Sequence, residues 1–229
     1  MTGYGNRSPA TFAASRPAKP MYLPAHFEDT DSDAIAGLIA AFPLATLVCL
    51  HDGEMIANHI PLMMNGREAL VGHIARANTL HELIGDGARV LAIFGGDDSY
   101  ISPNWYPTKP VTRRHVPTWN YQVVQIRGRI TFSHARKDKL AVVGRLTKTH
   151  EQAVFGDRAW KISDSPRDYM DQMLDNIVAF SIDIDSISAK SKLSQNRDPV
   201  DFDGVVREME MTGRKTLSAS MKRLRGDAD

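Results

Sequence analysis

Three stretches of the 229-residue chain carry side chains able to act on a bound ligand. The first is Gly72-His73-Ile74-Ala75-Arg76-Ala77-Asn78, where residues that read as a strand run into residues that read as a helix. The first turn of a helix leaves N–H groups unpaired and carries partial positive charge, which suits a phosphate. Arg76 adds a permanently charged, fork-shaped donor, and Asn78 adds an amide. The same residues would equally make an exposed arginine at a helix start, with Asn78 as a local cap. The second stretch is Tyr100-Ile101-Ser102-Pro103-Asn104-Trp105-Tyr106 with Val116-Pro117-Thr118-Trp119-Asn120-Tyr121. Its aromatic faces can stack on a planar ring, fill a partner's pocket, or fold back on the protein itself. The third is Lys190-Ser191-Lys192-Leu193-Ser194-Gln195-Asn196, whose cations and amides could serve a phosphate or a polarised carbonyl, or form a polar loop after a strand.

Other chemistries find no pattern. The histidines, His26, His51, His59, His73, His81, His115, His134 and His150, are scattered. Neither His81-Glu82 nor His150-Glu151 reaches a second histidine at helical spacing, so no metal site is expected. Gly95-Gly96 lacks the third glycine of a dinucleotide fingerprint, and no nucleophile elbow is present. The single cysteine, Cys49, excludes an internal disulfide and a multi-cysteine zinc site; its apolar surroundings read as those of a buried, inert thiol. The cytoplasm is the expected compartment. The net charge is +1, far from the basic excess usual in a DNA-binding domain. The excess is local: Arg207, Arg214, Lys215, Lys222, Arg223 and Arg225 outweigh Glu208 and Glu210. That segment reads either as a solvated helix face with a tail or as an arm that contacts DNA phosphates. No apolar run approaches the ~20 residues needed to cross a bilayer, so no membrane is expected as a partner.

The elements that must position these residues follow from periodicity and turn chemistry. Met1 to Pro20, rich in Ser, Ala, Gly and Pro, reads as a disordered tail and not as a secretory signal. A helix with Ile35, Leu38, Ile39 and Phe42 on one face is stopped by Pro43. Leu44 to His51 reads as a strand, Asp52-Gly53 as a hairpin turn, Glu54 to Met64 as the return strand, and Asn65-Gly66 as a turn into a strand from Glu68 to Ala75. These make an antiparallel meander. A short helix from Ala77 to Ile84 and a strand from Arg89 to Phe94 follow. Gly95 to Val116 reads as a long functional loop. Trp119 to Phe132 reads as a long strand with a bulge at Gly128, and Ala135 to His150 as a helix. Ser165-Pro166 opens a further helix. Ile177 to Ile184 alternates as a strand, and Asp198-Pro199 opens the last one or two helices. The sum is an α+β fold: an antiparallel barrel of about six strands, closed or nearly so, decorated with helices.

Six segments in order carry a resemblance: Met21 to Phe27, Asn58-His59-Ile60-Pro61-Leu62, Gly72 to Asn78, Tyr100 to Tyr106, Val116 to Tyr121 and Lys192 to Asn196. They resemble the PaiB-type FMN-binding negative transcriptional regulators over about residues 21 to 212. The resemblance implies a split β-barrel like that of pyridoxamine-phosphate oxidases and flavin reductases. It also implies a homodimer with FMN in the grooves between protomers, and a repressor's role. On that basis residues 21–212 form the FMN-binding domain and 213–229 a basic C-terminal helix or tail. Carried over by position, His59, Ile60, Pro61 and Leu62 would edge the flavin ring. His73, Ala75, Arg76 and Asn78 would hold ribityl and phosphate. Trp119, Asn120 and Tyr121 would lie near the ring or across the dimer seam. Lys192, Ser194, Gln195 and Asn196 would approach from the C-terminal part of one protomer toward the partner's site, Lys192 near the ring's carbonyl edge. The chain departs from the family at Gln125, often a histidine, at Thr79, often a proline, and at Ser188-Ala189, often Glu-Gly. The Gln125 change weakens any proton-transfer role there. Beside the regulator stand two other functions: an FMN-dependent oxidoreductase acting on a small substrate or nicotinamide, and a binding module that has lost its flavin.

Overall fold

The structure, a computed structural model, describes residues 21–226; the tail expected over Met1 to Pro20 lies outside the described residues, as do residues 227–229. The chain opens with α1 (Ser32–Ala41), capped by the Asp31 carboxylate, which accepts from the amides of Asp33 and Ala34. β1 (Leu44–His51) and β2 (Glu54–Pro61) form the hairpin that Asp52-Gly53 demands. Both turn residues are left-handed, at φ 50° and 86°, as a turn matched to strand twist requires. There follow β3 (Met63–Asn65), β4 (Ala69–Ala75), α2 (Leu80–Leu83), β5 (Ala88–Ile101), α3 (Lys109–Thr112), β6 (Thr118–Ser133), α4 (Arg136–Phe155), α5 (Arg167–Asp175), β7 (Ile177–Lys192), α6 (Pro199–Met211) and α7 (Lys215–Arg225).

All seven strands belong to one antiparallel sheet in the order β2-β1-β5-β6-β7-β4-β3. Its two outer strands, β2 and β3, are joined through the single residue Leu62, so the sheet must curl until its edges meet. Here the structure departs from the expected meander. Glu54 to Met64 is not one return strand. Pro61 has no N–H to extend the ladder, and Leu62, fully buried, breaks away to donate its amide to the Pro43 carbonyl at 2.9 Å. The break makes seven strands of the expected six: the expected hairpin across Asn65-Gly66 survives as β3 paired with β4, and β4's other neighbour is β7, not β2.

Three other elements differ from expectation. The short helix shrinks to the four residues of α2, because the Asn78 side chain caps it late, accepting from the Leu80 amide at 3.0 Å. The long loop is mostly structured: β5 runs through Gly95-Gly96 with a register shift before Asp98 and ends at Ile101, followed by a 3-10 turn at Pro103–Trp105 and α3. β7 continues to Lys192 and pairs there with Tyr121. The expected bulge at Gly128 is present; a Cβ there would stand 2.2 Å from the Asp183 carbonyl oxygen, so only glycine lets β6 and β7 approach.

The barrel core is filled by Leu47, Ile60, Leu62, Leu70, Phe94, Ile126, Ile130, Phe180 and Ile182, with Ile39 of α1 closing over it. α4 covers Val71 and Ala179 on the outer face of β4 and β7 through Val142 and Leu146. The extended ends of β5 and β7 carry a second core, where Ile101, Tyr106 and Leu193 meet Phe202, Val205 and Met209 of α6 and Leu217 and Met221 of α7. Cys49 is buried, and burial pushes its thiol pKa up. Among the described residues, no helix is long and apolar enough to cross a membrane and no group of His, Cys, Asp or Glu could hold a metal ion.

Candidate functional site

The sequence-predicted residues gather into two groups. The first lies where the end of β2 returns past the end of β4. Gly72 makes this crossing possible: a Cβ there would stand 2.6 Å from a Leu62 methyl and 3.2 Å from the Pro61 carbonyl oxygen. Asn78 donates to the Asn58 side chain at 2.8 Å, tying the turn after β4 to β2 one residue before His59. His59, exposed, pairs through Nδ1 with the Thr46 hydroxyl at 3.1 Å. His73, on the outer face of β4, is half-buried, and its buried Nδ1 has no hydrogen-bond partner among the described residues. Burial pushes the His73 pKa down, so the ring is neutral at physiological pH. Arg76 sits in an exposed turn held by its own amide on the Asn176 carbonyl at 2.7 Å; its guanidinium has no ion-pair partner among the described residues. The expected helix start behind Arg76 is absent, since α2 begins only at Leu80 and spans a single turn. Any attraction for a phosphate there would therefore rest on the arginine's own charge.

The second group lies at the far end of β7. Lys192 donates to the Thr118 hydroxyl at 2.6 Å and to the Trp119 carbonyl, with its ammonium 5.9 Å from the Phe27 ring centroid. Burial, then the neighbouring charges of Lys190 and Arg197, push its pKa down. Asn120 is fully buried: it accepts from the Ser194 hydroxyl at 3.0 Å and lies against the Met221 sulfur of α7. Gln195 folds back on its own strand, accepting from the Leu193 amide at 2.7 Å and donating to the Ser191 carbonyl. Asn120, Ser194 and Gln195 thus hold the end of β7 under α7, while Lys192, Trp119, Tyr121 and Asn196 keep solvent-accessible surface.

Strand register relates the groups. Along β2-β1-β5-β6-β7 the row His59–Thr46–Ile93–Gln125–Ser188 shares the outward face, with Tyr121, Lys190 and Lys192 on that same face further along. Four strand spacings separate the edges, about 19 Å across the sheet. Beside that largely polar row, the face exposes apolar side chains on β1 and β2: Leu44, Leu50 and Met55 are 62%, 64% and 82% exposed. Among the described residues no hydrogen bond joins the two groups. A cavity of about 330 Å³ under α4, between Asp138 and Arg145, is lined by none of the predicted site residues.

Sequence reasoning missed a buried cluster below the second group. Asp201 of α6 accepts from the Thr108 amide at 3.0 Å, the Thr108 hydroxyl at 2.7 Å and His115 Nε2 at 3.0 Å. Burial alone would raise its carboxyl pKa, but the Thr108 and His115 bonds hold it below the usual value. The one local signal was Asp201 in the turn after a cap-proline pair; its partners, far off in sequence, leave no local trace.

Comparison with known proteins shows the family and the architecture. The family described as "Putative FMN-binding domain" matches residues 21–186. The Bacillus subtilis protease synthase and sporulation protein PAI 2 is 32% identical over 198 residues, 83% of this chain and 89% of that protein. Among solved structures, the FAD and heme binding protein from Mycobacterium smegmatis superposes with TM-score 0.54 at 20% identity, over 72% of this chain and 73% of that one. The flavocytochrome Anf3 from Azotobacter vinelandii gives 0.52 at 14% identity, over 77% and 75%. The shared architecture is the split β-barrel.

Proposed function

The chain belongs to the FMN-binding domain family that also takes in PAI 2, and from that premise we propose that two copies pair through the open outward face and hold FMN in the grooves between them. One observation carries this reading: His59 and Lys192 stand toward opposite margins of one outward face of the sheet, on which Leu44, Leu50 and Met55 stay exposed among the described residues. A two-fold pairing over that face sets the β2 edge of one protomer against the β7 edge of its partner, twice. Patches of exposed apolar surface of this kind mark interfaces.

The residues present fit the cofactor. His73 Nδ1 is a buried polar atom with no partner among the described residues, and Arg76, three residues on, has no ion-pair partner among them and carries the group best suited to a phosphate. In this reading Arg76 takes the phosphate, and His73, neutral, gives or accepts a hydrogen bond toward the ribityl chain. His59 to Leu62 supply the edge of the ring site, and Asn78 fixes the turn through Asn58. From the partner, Trp119, Tyr121 and Lys192 wall the opposite side, with Asn120, Ser194 and Gln195 as their support. Bound FMN supplies one- and two-electron chemistry.

The resemblance to the PaiB-type regulators carries the reading of a regulator acting in the cytoplasm, with DNA as the partner that role implies. The basic C-terminal segment is the surface for it, drawing on Arg207 and Lys215 and on cations that now face carboxylates: Lys222 with Glu210, Arg223 with Asp31, Arg225 with Asp203. The visible spectrum of the purified protein, with and without added FMN, tests the cofactor: flavin absorbance co-eluting with a dimer is expected. A colourless protein that takes up no added FMN overturns it. Gel-shift affinity that does not fall with added salt overturns the DNA contact.

A further inference from the structure

The β7 margin holds more positive charge than a neutral ring explains. Lys190 and Lys192 project from the same face of β7, and Arg197 lies within electrostatic reach of Lys192. Among the described residues none of the three has a carboxylate within ion-pair distance. The first twenty residues contain neither Asp nor Glu; the remaining undescribed residues include Asp227 and Asp229. Lys190 is 7% exposed, its ammonium between two rings, 5.3 Å from the Tyr22 centroid and 5.4 Å from that of Tyr121, with one bond to the Tyr22 carbonyl at 3.0 Å. Ring faces and one carbonyl do not neutralise a buried cation, and such charges call for an anion. Lys192 spends two of its three N–H groups on Thr118 and Trp119, leaving one to give.

The surroundings name the rest of the ligand. Trp119 is 53% exposed and meets Tyr100, 47% exposed, edge to face at 6.0 Å, so a planar body laid beside the lysines finds aromatic surface. We propose that the corner formed by Lys190, Lys192, Trp119 and Tyr100 binds a planar aromatic anion, of carboxylate class, as a ligand distinct from FMN. Lys192 gives the charge-assisted hydrogen bond, Lys190 supplies field from below, and the body stacks on the indole of Trp119 while the phenol of Tyr100, at 74° to it, meets its edge. This deepens the FMN reading and rests on it only for what lies across the groove; the corner itself is built within one protomer.

The test uses 2-naphthoate against its neutral isostere 2-naphthamide, titrated into FMN-saturated protein and followed by tryptophan fluorescence, with flavin absorbance read in the same cuvette. Naphthoate is expected to bind at least about tenfold tighter than the amide. Lys192→Met should erase that ratio, and Lys192→Arg should retain most of it. Equal affinities in the wild-type protein, or a ratio unchanged in Lys192→Met, overturn the proposal. An unchanged far-UV circular dichroism spectrum of Lys192→Met, together with the ratio kept in Lys192→Arg, separates loss of the cation from loss of the fold. Failure of FMN to bind shows in the flavin band alone and defeats the groove reading, while the naphthoate ratio still reports on the corner.

Discussion

At Arg76 charge and backbone were expected to act together, and the fold leaves only the charge. With α2 a single turn starting at Leu80, no run of aligned amides reinforces the guanidinium. The whole phosphate attraction on this margin then rests on one side chain, and its removal should be correspondingly costly. Arg76→Ala is expected to weaken FMN about 10- to 100-fold in a flavin-fluorescence titration; Arg76→Lys should recover part, since a point charge lacks the fork. An affinity unchanged in the alanine variant would take Arg76 out of the site. Asp201 makes a different kind of prediction. Its carboxyl is held below the ordinary value near 3.9 by Thr108 and His115, so it adds stability above that pH and loses it as pH falls through the folded value. Asp201→Asn should therefore lower stability by about 1–3 kcal/mol at pH 7. Melting curves of variant and wild type should converge as the pH drops below 4. A difference that stays constant across that range would mean the carboxylate's charge is not what holds the 102–116 segment to α6.

At the scale of elements, what local chemistry specifies was legible and what distant pairing specifies was not. The hairpin at Asp52-Gly53, the alternation of Val124, Ile126 and Ile130, and the bulge at Gly128 all follow from residues within a few positions of one another. The break at Leu62 does not. It depends on Leu62 finding a hole in the barrel floor and Pro43 offering a carbonyl, neither of which periodicity encodes. The same holds for the continuation of β5 through Gly95-Gly96: two glycines read as a loop, yet β6 pairs on past them once its own strand is long enough. For the site, the residue types were readable, but Asn58 behind Asn78 and the burial of Asn120 and Ser194 under α7 were not, because each depends on an element remote in sequence. Gly128 offers the sharpest test at this scale. A methyl group there meets a backbone carbonyl at 2.2 Å, which cannot swing aside. Gly128→Ala should cost about 3 kcal/mol by separating β6 from β7. Gly85→Ala, where nothing lies within 4 Å, should stay within about 0.5 kcal/mol. Denaturant unfolding followed by circular dichroism measures both.

At the scale of the whole molecule, the outward face of β1 and β2 poses a solubility problem that the proposed pairing would solve. Leu50 and Met55 stand directly opposite each other across the hairpin, 64% and 82% exposed, next to the half-buried Val48 and Leu91 one row on. Among the described residues nothing dries this surface, and a second copy seated on it would. In a two-fold pair each protomer meets the same patch, and a change made once is felt twice. Replacing Leu50 and Met55 together by Glu places like charges on both sides of the seam without touching the barrel core, because neither side chain is buried. Light scattering on the eluted protein should then report one subunit in place of two, with circular dichroism unchanged. FMN should leave along with the partner, since Trp119, Tyr121 and Lys192 would no longer face the edge carrying His59, His73 and Arg76. The two losses are separable. A monomer that still binds FMN with native affinity would mean that one margin suffices and the β7 corner is a site of its own. A dimer that survives both substitutions would move the seam to another face, and with it the reason for setting the two margins against each other.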